Sequence, residues 1–118
     1  MIVHVVLFRP KATVSPEDRK ALARAFENAV RTIPSVRRAV VGRRVRPGAG
    51  YEALPQPDLQ YAAFLEFDDQ AGLQAYLGHP AHEEVGRRFF EVMEGGVVFD
   101  YELQDGKSVG EIVTNWLD

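Results

Sequence analysis

The run Ile2-Val3-His4-Val5-Val6-Leu7-Phe8 is apolar at every position except His4. Branched and aromatic residues dominate it, so it reads as a β-strand. Successive side chains of a strand point to opposite faces. Val3, Val5 and Leu7 therefore share one face, and Ile2, His4, Val6 and Phe8 share the other. Both faces are apolar, which requires cover on both sides. A two-layer fold with one solvated sheet face does not meet that requirement within a single protomer.

The remaining elements follow in order. Ser15-Pro16-Glu17-Asp18 is a helix start, with a capping serine, a proline in the first turn and acids near the positive end of the dipole. Leu22, Phe26, Ala29, Val30 and Ile33 then recur at helical spacing, and Pro34 stops the helix. Val36 to Val45 reads as a second, less apolar strand. Residues 46–58 hold three prolines and two glycines, which predicts a long loop or a hairpin arm. Leu59 to Phe67 is a third strand, with Tyr61, Ala63, Leu65 and Phe67 on one face and Ala62, Phe64 and Glu66 on the other. Asp68 or Asp69 caps a short helix that carries Leu73, Tyr76 and Leu77.

Next comes Tyr76-Leu77-Gly78-His79-Pro80-Ala81-His82, which holds two of the three histidines. Proline forces His79 out of helical geometry but fits the first turn of a new helix. One helix therefore ends near Gly78 and another begins at Pro80, with His79 placed to cap it. The second helix aligns His82, Val85, Phe89 and Met93, and Gly95-Gly96 is expected to end it. Val97 to Leu103 is a fourth strand. Residues 105–118 form a tail, in which Ile112, Val113, Trp116 and Leu117 are spaced for one short amphipathic turn.

At 118 residues the chain has the length of one domain, expected over residues 1–104. It has no cysteine, which excludes disulfides and thiol chemistry and fits a cytoplasmic setting. The net charge of −3 and the lack of a basic helix face argue against nucleic acid. Arg37, Arg38, Arg43, Arg44 and Arg46 read as solvated positions on or near an edge strand. No apolar run approaches the ~20 residues of a membrane helix, and the chain opens on a strand without a signal-peptide pattern. No glycine-rich phosphate loop or nucleotide fingerprint is present, so no cofactor is expected. His79 and His82 have i, i+3 spacing, a conceivable metal pair, but no third ligand is local and no metal is expected.

The order βαββ, broken helix, β is the split βαβ, ferredoxin-like pattern of an α+β protomer with an antiparallel sheet. Its helices cover one sheet face only. Because the other face is also apolar, the expected assembly is a homodimer whose sheets pack face to face, with an apolar cavity between each sheet and its helices. His82 lies in the first turn of its helix, where the dipole disfavours a positive imidazole. A neutral histidine there is available as a general base.

The chain from Met1 to Leu103 resembles the stress-responsive dimeric α/β-barrel (Dabb) family. The residues that carry the likeness are His4 in a strand leading to Leu7-Phe8, Ile33-Pro34, Val41-Gly42, Tyr76 with His79-Pro80-Ala81-His82, and Val98-Phe99-Asp100-Tyr101. The resemblance implies a ferredoxin-like protomer and a dimeric barrel. Within the family are stress-associated proteins without an assigned reaction and polyketide cyclases of the olivetolic acid cyclase type, which close poly-β-keto thioesters by an aldol condensation. By that resemblance His82 corresponds to the catalytic histidine, Tyr76 to the pocket tyrosine and His4 to the first-strand histidine. Tyr61 stands where such cyclases have a further pocket histidine, and the loop before it is longer here. Both departures bear on the substrate.

The candidate catalytic residues are thus His82 and Tyr76, and the candidate ligand-binding residues are His4, Tyr61, Val6, Phe26 and Leu65. Each has a plainer reading: His82 packed beside Val85 and Phe89, His4 a satisfied core histidine, and Tyr76 a core aromatic with its hydroxyl at the rim. Asp100 needs a partner among its apolar neighbours. A backbone N–H or Arg9 is the expected one, and a histidine is the alternative. Three functions stay open: a cofactor-free cyclase or isomerase for an apolar, carbonyl-rich molecule, a module that binds such a ligand, and a stress-related assembly protein.

Overall fold

The computed structural model describes residues 1–116. Its first strand, β1 (Ile2–Pro10), leads to helix α1 (Pro16–Thr32), and strands β2 (Arg38–Arg43) and β3 (Tyr61–Phe67) follow. Helices α2 (Gln70–Leu77) and α3 (Pro80–Val92) precede strand β4 (Met93–Glu102), and helix α4 (Val109–Trp116) ends the described chain. The sheet order is β2-β3-β1-β4, antiparallel throughout. This is the ferredoxin-like α+β protomer that the element order predicts.

Local chemistry explains most of the boundaries. The Ser15 hydroxyl accepts from the Asp18 N–H at 3.1 Å, and Pro16 occupies the first turn of α1. A cap of this kind contributes about 1 kcal/mol. Asp69, rather than Asp68, caps α2 by accepting from the Gly72 N–H at 2.8 Å. His79 caps α3 through Nδ1, which accepts from the Ala81 N–H at 3.0 Å. β2 and β3 are shorter than expected because the long loop takes in residues 44–60. There Glu52 reaches back to the Ala49 N–H within a 3-10 turn (Gly50–Ala53), and Arg44 holds Gln56.

Two expectations need correction. Gly95-Gly96 does not end α3. The helix stops at Val92, Met93 adopts extended geometry, and both glycines lie within β4. The reason is close packing rather than helix termination. The register of β4 on β1 shifts between Arg9 and Pro10, and a Cβ on Gly96 would lie 2.8 Å from the Leu7 carbonyl oxygen and 3.0 Å from the Met93 sulfur. Met93 consequently belongs to the strand and not to the helical stripe of His82. The tail forms the two-turn helix α4, longer than the single turn expected, packed chiefly against the preceding turn Gly106–Ser108. Leu117, the last residue expected in that apolar turn, lies outside the described residues.

α1 and α3 pack side by side over one face of the sheet. The core beneath them holds Ile2, Leu65, Phe67, Ala29, Ile33, Leu73 and Tyr76. Among the described residues the opposite face is bare. The strand register aligns Val5 with Phe64 and Phe99, and Val3 with Tyr101, on that outer side. Phe64, Phe99 and Tyr101 are exposed by 37 %, 51 % and 53 %.

Candidate functional site

The helix-side face of the sheet forms the floor of a cavity of about 790 Å³. Register sets the floor in rows. His4 lies opposite Leu65, Val6 opposite Ala63, and Phe8 opposite Tyr61. α1 supplies Leu22 and Phe26 to one wall, and α2 and α3 supply Tyr76, His82, Val85 and Phe89 to the other. All seven residues singled out from the sequence (His82, Tyr76, His4, Tyr61, Val6, Phe26 and Leu65) line this one cavity. They do not mix evenly. His4, Tyr76, His82 and Leu65 gather at one end, while Tyr61 lies at the other end with Phe8 and is partly exposed.

The helix break brings Tyr76 and His82 together. Their ring centroids are 4.7 Å apart, although they lie on different helices. The His82 Nδ1 faces the Leu77 carbonyl at 3.1 Å. A carbonyl only accepts, so Nδ1 carries the proton and Nε2 keeps its lone pair. Burial lowers the His82 pKa below 6.5, and the neighbouring His4 adds to the effect, against the opposing influence of the Leu77 carbonyl and Glu83. The direction agrees with a neutral base. The main cause is burial, not the helix terminus, whose N–H at His82 is already engaged by the His79 carbonyl.

Tyr76 is almost fully buried, with its ring against Phe67 at 5.2 Å and His4 at 5.8 Å. Burial pushes its hydroxyl up to about 12, so it remains a donor at any working pH. Among the described residues, Ser35 Oγ is the one sealed side-chain polar atom without a partner. The Tyr76 hydroxyl, which has no hydrogen-bond partner among the described residues either, therefore reaches the open space of the cavity.

Asp100 corrects a further expectation. Its partner is neither Arg9 nor a backbone amide. Asp100 Oδ1 lies 2.6 Å from His4 Nδ1, while Arg9 binds Glu94 and the Asp58 carbonyl. An ionised carboxylate only accepts, so His4 donates from Nδ1. The pairing depends on register: His4 and Asp100 are opposite each other on β1 and β4. His79, by contrast, spends its Nδ1 on the cap, and His82 spends its Nδ1 on Leu77, so the i, i+3 pair does not converge through those atoms.

The sequence reading did not assign the charged lining residues to the cavity: Arg19 and Glu27 on α1 and Arg43 at the end of β2. Arg43 is exposed, as expected for an edge strand, yet register places it opposite Tyr61 on the cavity side. The period-2 count along β2 from Ala39 would have shown the side to which it points.

A family model for the stress responsive A/B barrel domain, Dabb, matches residues 2–103. The chain belongs to the Dabb family. A search of curated proteins gave no significant match. Among solved structures, this Dabb chain is similar to a protein of Arabidopsis thaliana, at 24 % identity and a TM-score of 0.72, over 89 % of this chain and 97 % of that one. It is also similar to the hydroxynitrile lyase of Passiflora edulis, at 19 % identity and a TM-score of 0.73, over 88 % and 94 % of the two chains. A third is a dimeric ferredoxin-like protein of unknown function from Thermobifida fusca, at 24 % identity and a TM-score of 0.67, over 86 % and 90 %. At such identities these likenesses establish the fold of the Dabb protein and no more. Among the described residues no helix is long and apolar enough to cross a membrane.

Proposed function

We propose that the protein binds a small apolar, carbonyl-rich ligand in the cavity and catalyses cofactor-free aldol-type chemistry on it, with His82 as general base. The observation that carries this reading is the pairing of an accepting Nε2 on His82 with an unspent Tyr76 hydroxyl at the end of an apolar cavity. His82 Nε2 takes a proton from a carbon flanked by two carbonyls. The C–H electron pair moves into an enolate, and Tyr76 donates to the oxygen on which charge develops. The enolate carbon then attacks a further carbonyl of the same molecule, distant along its chain from the two that flank it. The alkoxide that results recovers the proton from the His82 imidazolium, so atoms and charge balance without a cofactor. His4, held by Asp100, orients the ligand from the floor.

The active unit in this reading is a homodimer. Its support is the bare apolar sheet face, together with the dimeric state of similar ferredoxin-like proteins from Thermobifida fusca and Jannaschia. Packing two such faces together also meets the demand of β1 for cover on both sides.

The test is exchange of the activated C–H protons of an aromatic β-diketone for deuterium, followed by NMR. The protein should accelerate exchange, and His82→Ala should remove the acceleration while leaving most of the affinity. Exchange by His82→Ala at the rate of the unaltered protein overturns the base assignment. Binding without any accelerated exchange leaves a ligand-binding module in place of an enzyme.

A further inference from the structure

The charged residues in the cavity lining, histidines aside, are Arg19, Arg43 and Glu27. Glu27 already has a partner, Arg31, at 3.9 Å. Among the other arginines of that edge, Arg37 pairs with Asp68 and Arg44 and Arg46 pair with Asp58, whereas Arg38 has no ion pair among the described residues and does not line the cavity. Arg43 and Arg19 have no ion pair among the described residues. Two unspent guanidiniums thus border a cavity whose lining is mostly apolar.

Their position is set by the fold. Arg43 lies opposite Tyr61, which lies opposite Phe8. Phe8 is four residues from His4 on the same face of β1, about 13 Å at the strand rise. Arg19 precedes Phe26 by seven residues along the lining stripe of α1, two helical turns or about 11 Å. α1 runs back over the sheet from β1, and its far residues Ala29 and Ile33 pack with Ile2 and Phe67 beyond His4. Both arginines therefore mark the end opposite His82 and Tyr76. A guanidinium presents a planar fork of donors that matches a carboxylate or a phosphate.

We propose that the cavity takes an elongated apolar molecule with an anionic head, a carboxylate or a phosphate monoester, held by Arg43 and Arg19 while its far end reaches His82 and Tyr76. This rests on the ligand-binding reading of the cavity and adds the polarity and length of what it binds. The anion sets the direction of entry. A floor of Val6, Ala63 and Leu65 carries the apolar middle.

The experiment is calorimetry on the full chain at low ionic strength with decanoate and decyl phosphate below their micelle thresholds and methyl decanoate below its solubility limit. His82 ring signals are followed by NMR in the same samples. At least one of the two anions should bind about tenfold more tightly than the ester, with the preference shrinking in high salt. The stronger anion identifies the head group. In the double variant Arg19→Gln, Arg43→Gln the anions should fall to the affinity of the ester, with ester binding unchanged. Both arginines are exposed, so the fold should persist, checked by an unaltered Tm. If the ester binds and moves His82 while neither anion binds more tightly, the proposal fails and the ligand reading stands. A preference that survives the double variant also overturns it. If none of the three binds or moves His82, the ligand reading falls with it.

Discussion

Replacing Tyr76 by phenylalanine separates the role of its hydroxyl from that of its ring. The ring packs against His82, Phe67 and His4 with centroid distances of 4.7, 5.2 and 5.8 Å, and phenylalanine keeps all three contacts. The hydroxyl has no hydrogen-bond partner among the described residues, so its loss leaves none of them unpaired. Unfolding free energy should change by no more than about 0.5 kcal/mol. Catalysis should respond differently. Losing one donor to a developing oxyanion costs on the order of 10²- to 10³-fold, about 2.7–4 kcal/mol. Losing one neutral hydrogen bond to a bound carbonyl costs only about 1 kcal/mol. The assays are denaturant unfolding and deuterium exchange into the β-diketone, measured on the same preparations. Tyr76→Ala serves as contrast, since removing a buried aromatic ring costs about 3–5 kcal/mol of stability. With the hydroxyl pushed up to about 12, exchange by the unaltered protein should not collapse below pH 10 through loss of this donor. The reasoning is refuted if Tyr76→Phe lowers stability by more than about 1 kcal/mol, or if it exchanges within twofold of the unaltered protein.

Three further outcomes follow from the geometry. Gly96→Ala should cost about 1–3 kcal/mol in chemical denaturation, because its Cβ would meet the Leu7 carbonyl at 2.8 Å, a backbone atom that cannot turn aside; Gly42→Ala, in open space, is the control and should be nearly neutral. His82 has a lowered pKa in the folded state, so the unfolded chain takes up its proton first as the pH falls. Its stabilising contribution is complete above about pH 6.5 and is lost below it, with a slope of at most about 1.4 kcal/mol per pH unit for one proton; His82→Gln should remove that slope from the pH series. Phe64→Asp with Phe99→Asp places charge on the bare sheet face and should abolish the dimer by light scattering, with loss of the folded state; a folded monomer at micromolar concentration would contradict the need for a second copy.

The sequence showed the elements and the chemistry near in chain position. Ser15, Asp69 and His79 cap helices as their local signals imply, since a cap depends on residues within one turn. The Gly78–Pro80 break put Tyr76 at the end of one helix and His82 in the first turn of the next, and packing then set their rings 4.7 Å apart. Signals of one residue type with two meanings misled: Gly95-Gly96 has the composition of a helix stop, but the need that glycine meets there is a close approach between two strands.

What the sequence determined by itself was the periodicity: strands apolar on both faces, helices with one apolar stripe, and hence a ferredoxin-like protomer that wants a second layer. Those properties rest on spacings of two to four residues, which a chain carries before it folds. What only the tertiary structure decided was register. Register sets Asp100 beside His4, across 96 residues of chain, and turns Arg43 toward the cavity and not toward solvent alone. A shift of one residue in pairing would send each of these side chains to the other face. The energy that selects the register is the burial of Leu65, Phe67 and Ile2 beneath α1, α2 and α3, a sum over the whole core that no single stretch of sequence contains.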